Sequence, residues 1–151
     1  MSAPAAPFGR ELIESIIPHR EPFLLIDEVL ELEPGVRVVA AKTVRPEEPY
    51  LEGHFPGRPV MPGVLMLEAL AQAGAVGVLS HPDYAGRLAL FAGLEKVRFR
   101  RLVVPGDVLV LELTVERLRA SLGRGAGVAR VGAELAVEAT LTFAFADATA
   151  A

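Results

Sequence analysis

"LEGHFPGRPVMPGVLMLEALAQAGAV", residues 51–76, joins two unlike textures. Its first half sets one histidine, His54, in a loop with Pro56, Pro59 and Pro62. Its second half is apolar on every side except at Glu68 and Gln72. Pro62 suits the first position of a helix, where its missing N–H costs nothing. The pattern predicts a helix from Pro62 to about Leu79. A helix apolar all round must be covered on most sides. A single sheet curled around it would do that, and Ala69, Ala71, Ala73, Gly74, Ala75 and Gly77 would let the sheet approach closely.

The rest of the chain supplies such a sheet. Residues Glu11–Ile17 put Leu12, Ile13, Ile16 and Ile17 on one helical face, and Pro18 ends that helix. Phe23–Leu32 and Val36–Val44 read as strands around a Pro34-Gly35 turn. After the long helix come a candidate strand from Leu88 to Val103, a type II turn at Pro105-Gly106 and a half-buried strand over Val108–Arg119. Gly123–Gly127 reads as loose. Val128–Val131 and Leu135–Phe145 close the sheet around a turn at Gly132. This order defines an α+β domain over residues 11–146, between a flexible tail at 1–10 and another at 147–151.

The 151 residues fit one domain. Hydrophobic content of 52% and a mean hydropathy of +0.40 are high for a soluble chain of this size and point to surface covered by self-association. Glu68 and Gln72 interrupt the longest apolar run, so no membrane insertion is expected. The N-terminus lacks the basic start and apolar run of a signal peptide. With no cysteine, thiolate chemistry and disulfides are excluded, which agrees with a cytoplasmic setting. A net charge of −4 argues against a nucleic-acid partner. Three scattered histidines do not make a metal cluster.

The chemistry concentrates in the quoted stretch. Gly63 and Val64 would present free amides at the helix start, where a developing oxyanion is stabilised. Glu68, about 7.5 Å further along the axis, has a side chain that leans back towards that end. Its carboxyl would then lie close to a group bound at the helix start. Gln72, one turn on, would hydrogen-bond the carboxyl or a water beside it. One possible base, one possible acid and one oxyanion site thus share a proline-stiffened segment. His19 and His81 read as structural or surface histidines. No phosphate-binding glycine loop and no nucleophilic serine elbow compete.

"GHFPGRPVMPGVLMLEALAQ", residues 53–72, resembles the signature of the FabZ-type 3-hydroxyacyl-[acyl-carrier-protein] dehydratases. The resemblance extends to "IPHREPFLLIDEVLELEPG" from Ile17, "FAGLEKVRFRRLVVPGD" from Phe91 and "VEATLTFAFA" from Val137. It implies a hot-dog fold, a long helix wrapped by an antiparallel sheet. It implies dehydration of (3R)-hydroxyacyl groups on acyl carrier protein to trans-2-enoyl groups in fatty-acid synthesis, with no cofactor and no metal. His54 matches the family's catalytic histidine, Glu68 its catalytic glutamate, Gly63 the glycine at the helix start and Gln72 the glutamine one turn past the glutamate. It further implies a homodimer, assembled as a trimer of dimers, with His54 from one subunit and Glu68 from its partner in each site. The FabA type, which also isomerises, typically has aspartate at the position of Glu68.

The carrier is strongly acidic, and the family docks it near the tunnel mouth. "EKVRFRR" clusters Lys96, Arg98, Arg100 and Arg101, the first three alternating onto one face of a strand. A solvated face is the plain reading of such a cluster. The resemblance makes these residues candidates for steering the carrier. Two other readings keep the fold: a thioester hydrolase in which Glu68 activates water, and a non-catalytic acyl-thioester-binding protein. The first is disfavoured by His54 in "GHFPG". A DNA-binding regulator of this fold would need an added module, for which the roughly twenty residues before Phe23 are too few.

Overall fold

The computed structural model describes residues 3–148. Its elements follow in the order β1 (Phe8–Gly9), α1 (Arg10–Ile16), β2 (Glu28–Glu33), β3 (Arg37–Thr43), α2 (Gly63–Leu79), β4 (Arg87–Phe99), β5 (Val108–Leu118), β6 (Leu122–Val131) and β7 (Glu134–Asp147). The strands form one seven-stranded sheet in the order β1-β2-β3-β5-β6-β7-β4. Every pairing is antiparallel.

Helix α2 is the axis of the fold, and every residue from Ala69 to Leu79 is buried. Its small residues are what the sheet needs. A Cβ on Gly74 would stand 2.9 Å from Leu113 of β5 and 3.0 Å from Phe143 of β7. On Gly77 it would meet Val38 of β3 at 3.0 Å. Leu109, Leu111 and Leu113 of β5 point inwards and are buried, as the alternation requires. The helix wrapped by a curled antiparallel sheet is the hot-dog architecture that the resemblance implied.

Several local expectations change. The Phe23–Ile26 run is not a strand. The amides of Phe23 and Leu24 turn back onto the Arg20 carbonyl, and Leu24, Leu25 and Ile26 are all buried in succession. Strand β2 begins only at Glu28. The Gly123–Gly127 segment, read as loose, lies in the first half of β6, paired on both sides. Glycine is needed there because a Cβ on Gly125 would lie 2.8 Å from Leu113, and one on Gly127 2.9 Å from Leu141. Part of the expected N-terminal tail is ordered: Phe8 and Gly9 pair with Val29 and Glu28, and Phe8 is buried. Asp147, placed in the C-terminal tail, is the last residue of β7. Residues 1–2 and 149–151 of those tails lie outside the described residues.

The turns agree with the reading. Gly35 and Gly106 take the positive φ of 76° and 98° that a type II turn needs. Val36 and Asp107 close those turns on the carbonyls of Glu33 and Val104. β4 lies at one end of the sheet and exposes Leu90, Phe91 and Leu94. Among the described residues no helix is long and apolar enough to cross a membrane.

Candidate active site

The His54 loop is held by its own backbone. Phe55 and Arg58 exchange hydrogen bonds at 3.0 and 2.9 Å, the Val60 amide donates to the His54 carbonyl at 2.8 Å, and the Met61 amide donates to Val103 at 2.8 Å. The start of the loop is tied down by Glu48, which pairs with the buried Lys42 at 2.9 Å. These bonds aim the imidazole. His54 Nδ1 lies 2.8 Å from the Val60 carbonyl oxygen. A carbonyl only accepts, so Nδ1 carries the hydrogen and Nε2 of the neutral ring carries the lone pair. Phe55 stacks on the ring at a centroid distance of 4.1 Å.

The helix start lies beside this ring. Pro62 stands at the cap position, with extended backbone, rather than at the first helical position. Its carbonyl accepts from the Leu65 and Met66 amides. Among the described residues, the Gly63 and Val64 amides have no such acceptor. His54, Gly63, Val64, Phe99, Arg101 and Leu102 line one cavity of about 380 Å³. A Cβ on Gly63 would meet the Phe99 ring at 2.6 Å. Phe99 is thus an unanticipated part of the site, and it is one direct reason why residue 63 is glycine.

Glu68 does not join this cavity. Gly63 and Glu68 are five residues apart, which turns their side chains about 140° from one another around the helix. The expectation that the carboxyl lies near a group bound at the helix start fails within one chain for that reason. Glu68 opens instead into a cavity of about 320 Å³ lined by His19, Phe23, Ala71, Leu90, Phe91 and others. Gln72, one turn on, shares its face. Gln72 Nε2 donates to Glu68 Oε2 at 2.9 Å and to the Phe23 carbonyl at 2.8 Å, while its Oε1 accepts from the Leu25 amide at 2.7 Å.

His19, read from the sequence as structural or surface, stands in this second cavity with Nε2 3.7 Å from Glu68 Oε2. Burial lowers its pKa, Glu68 opposes that shift, and Arg20 adds to it. His81, by contrast, accepts from the Asp83 amide in the turn after α2.

The basic cluster is not one alternating face. Lys96 has φ 54°, and the β4–β7 register shifts between Glu95 and Arg98. This bulge takes Lys96 out of the alternation. Arg98 lies opposite Glu138, and Arg100 binds Glu138 through Nε and Nη2 at 3.3 and 3.2 Å. Arg101 reaches Asp107 and Glu134, each at 3.4 Å, and lines the His54 cavity. Among the described residues, Lys96 and Arg98 have no carboxylate within ion-pair distance.

The architecture and the two cavities place the molecule among hot-dog proteins with a histidine loop and a buried helix that carries one glutamate. A family model described as a FabA-like domain matches residues 17–140. The 3-hydroxyacyl-[acyl-carrier-protein] dehydratase FabZ of Symbiobacterium thermophilum is 62% identical over 133 residues, covering 88% of this chain and 94% of its own. That of Chloroflexus aggregans is 58% identical, covering 91% and 95%. The chain belongs to the FabA-like family, in its FabZ-type branch of 3-hydroxyacyl-[acyl-carrier-protein] dehydratases. Among solved structures, the dehydratase heterocomplex ApeI:P from Xenorhabdus doucetiae has a TM-score of 0.77 at 22% identity, with 91% of this chain and 92% of that one covered. A hypothetical thioesterase from Streptococcus pneumoniae has a TM-score of 0.62 at 12% identity, with 80% and 85% covered. These two likenesses carry the fold alone, and that fold is shared by proteins named for different reactions.

Proposed function

We propose that the protein dehydrates (3R)-hydroxyacyl groups on acyl carrier protein to trans-2-enoyl groups, without isomerising them, in cytoplasmic fatty-acid synthesis. The observation that carries the mechanism is the 2.8 Å contact between His54 Nδ1 and the Val60 carbonyl, which leaves Nε2 as the basic atom beside the free amides of Gly63 and Val64. A thioester carbonyl directed at those amides would have its enolate-like charge stabilised by them and by the helix end. Nε2 removes the C2 proton as general base. Glu68, in its acid form, protonates the C3 hydroxyl, which leaves as water.

Within one chain His54 and Glu68 face different cavities. This supports a site completed by two subunits, with His54 from one chain and Glu68 from its partner. The edge strand β4, with Leu90, Phe91 and Leu94 exposed in the single chain, suits the pairing surface. Assembly as a trimer of dimers rests on the family resemblance alone. Lys96 and Arg98, free of ion pairs among the described residues, are the residues best suited to steer the acidic carrier, with Arg101 closer to the reacting groups.

Mass spectrometry of a 3-hydroxyacyl carrier protein incubated with the enzyme tests the reaction. Loss of water is the expected result. Loss of the acyl group would instead mean hydrolysis, and no change would leave a binding protein.

A further inference from the structure

The histidine that the acid–base chemistry does not use stands beside the acid. His19 Nε2 is 3.7 Å from Glu68 Oε2, the same oxygen that Gln72 holds at 2.9 Å. The segment that carries His19 is bolted to the helix by the same glutamine, through the Phe23 carbonyl and the Leu25 amide. One side chain therefore holds the carboxyl and anchors the segment that follows His19. The other nitrogen of the ring, His19 Nδ1, is buried without a hydrogen-bond partner among the described residues.

That orphan nitrogen decides the tautomer. A buried N–H without an acceptor is rarer in folded proteins than an acceptor left without a donor. Nδ1 is then the bare nitrogen, and the hydrogen sits on Nε2, aimed at Glu68. Burial favours the neutral ring, an ionised Glu68 opposes that, and Arg20, next in the chain, adds to it.

When the C3–O bond breaks, its electron pair goes to oxygen, which takes the Glu68 proton and leaves as water. Glu68 keeps the O–H electron pair and becomes a carboxylate. We infer that His19 is a positioning residue of the dehydration step, a neutral Nε2–H donor that orients Glu68 and stabilises the carboxylate formed as water departs. The 3.7 Å separation is longer than a hydrogen bond, as contacts between catalytic groups often are without substrate, and it closes when charge develops. A hydrogen bond stronger in the transition state than in the ground state raises kcat rather than lowering KM.

The inference rests on the dehydratase reading, and wild-type turnover of a 3-hydroxyacyl carrier protein tests that reading separately. His19→Phe keeps the ring and removes the donor. Its kcat should fall about tenfold to a hundredfold with KM within about twofold, the scale of one hydrogen bond to a charged group. His19→Gln, which returns an N–H near the position of Nε2, should recover most of that loss. If His19→Phe does not fold, His19→Leu and His19→Gln give the same comparison. An active wild type with an unimpaired His19→Phe would overturn the role. So would a change in KM alone, or variants with and without a donor that are equally slow. A wild type that releases no water would instead remove the dehydratase reading itself.

Discussion

Gln72 is clamped between Glu68 and the segment facing it: Nε2 serves the Glu68 carboxyl at 2.9 Å and the Phe23 carbonyl at 2.8 Å, and Oε1 takes the Leu25 amide at 2.7 Å. The side chain is only 1% exposed, so water cannot replace it. Gln72→Met keeps the volume and leaves the buried Leu25 amide and the partly buried Phe23 carbonyl unpaired. The expected loss of stability is about 2–4 kcal/mol, read from urea unfolding. A loss under about 0.5 kcal/mol would mean that the clamp contributes little.

Gly63 and Phe99 should be coupled. Gly63→Ala places a methyl 2.6 Å from the ring, which is 53% exposed and can swing outwards. The displaced ring would disturb the cavity at the helix start, lowering activity. In a Phe99→Ala background the same substitution meets open space and should cost less. A double-mutant cycle on kcat/KM should return a coupling of about 0.5–3 kcal/mol. Strict additivity would show that glycine is required there for the substrate rather than for Phe99.

His19 makes stability depend on pH. Its pKa is lowered from 6.5 in the fold, chiefly by burial. The unfolded chain therefore takes up a proton first as the pH falls. The stability tied to the neutral ring is fully present above pH 6.5 and is lost as the pH drops from there through the lowered folded value. Denaturant midpoints of the wild type should decline across that window more steeply than those of His19→Phe. Parallel profiles would contradict the burial of a neutral ring.

Carrier steering is expected from Lys96 and Arg98 rather than from Arg100, whose guanidinium is engaged by Glu138. Lys96→Glu with Arg98→Glu should raise KM for carrier-bound substrate more than for a short pantetheine analogue, and the difference should shrink as salt is added. Equal effects on both substrates would remove the docking role.

The parts legible in the sequence were those governed by local pattern. The apolar run from Gly63 to Leu79, Glu68 and Gln72 one turn apart, and the Pro-Gly turns all depend on neighbours in the chain. The misread parts depend on distant residues. Gly125 and Gly127 suggest a loop until Leu113 and Leu141 are seen filling the space beside them. The run Phe23–Ile26 has the composition of a strand, but its amide and carbonyl go to Gln72, some 47 residues away. His19 comes within 3.7 Å of Glu68 although the two are far apart in the chain. The bulge at Lys96 leaves no mark that period-two counting can find. Helical geometry could have separated Gly63 from Glu68, since five residues turn about 140°. Distance along the axis alone concealed it.

In the proposed mechanism His54 of one chain and Glu68 of another act on the same substrate. Complementation between two inactive variants tests it most directly. His54→Ala and Glu68→Gln should each lose about 10²–10⁴-fold in turnover. Unfolded together and refolded, they should form mixed dimers in which one site carries both lesions and the other carries none. With random pairing, activity should return to about a quarter of the wild-type level. If mixed dimers form and no activity returns, each chain builds its own site and the shared arrangement is wrong.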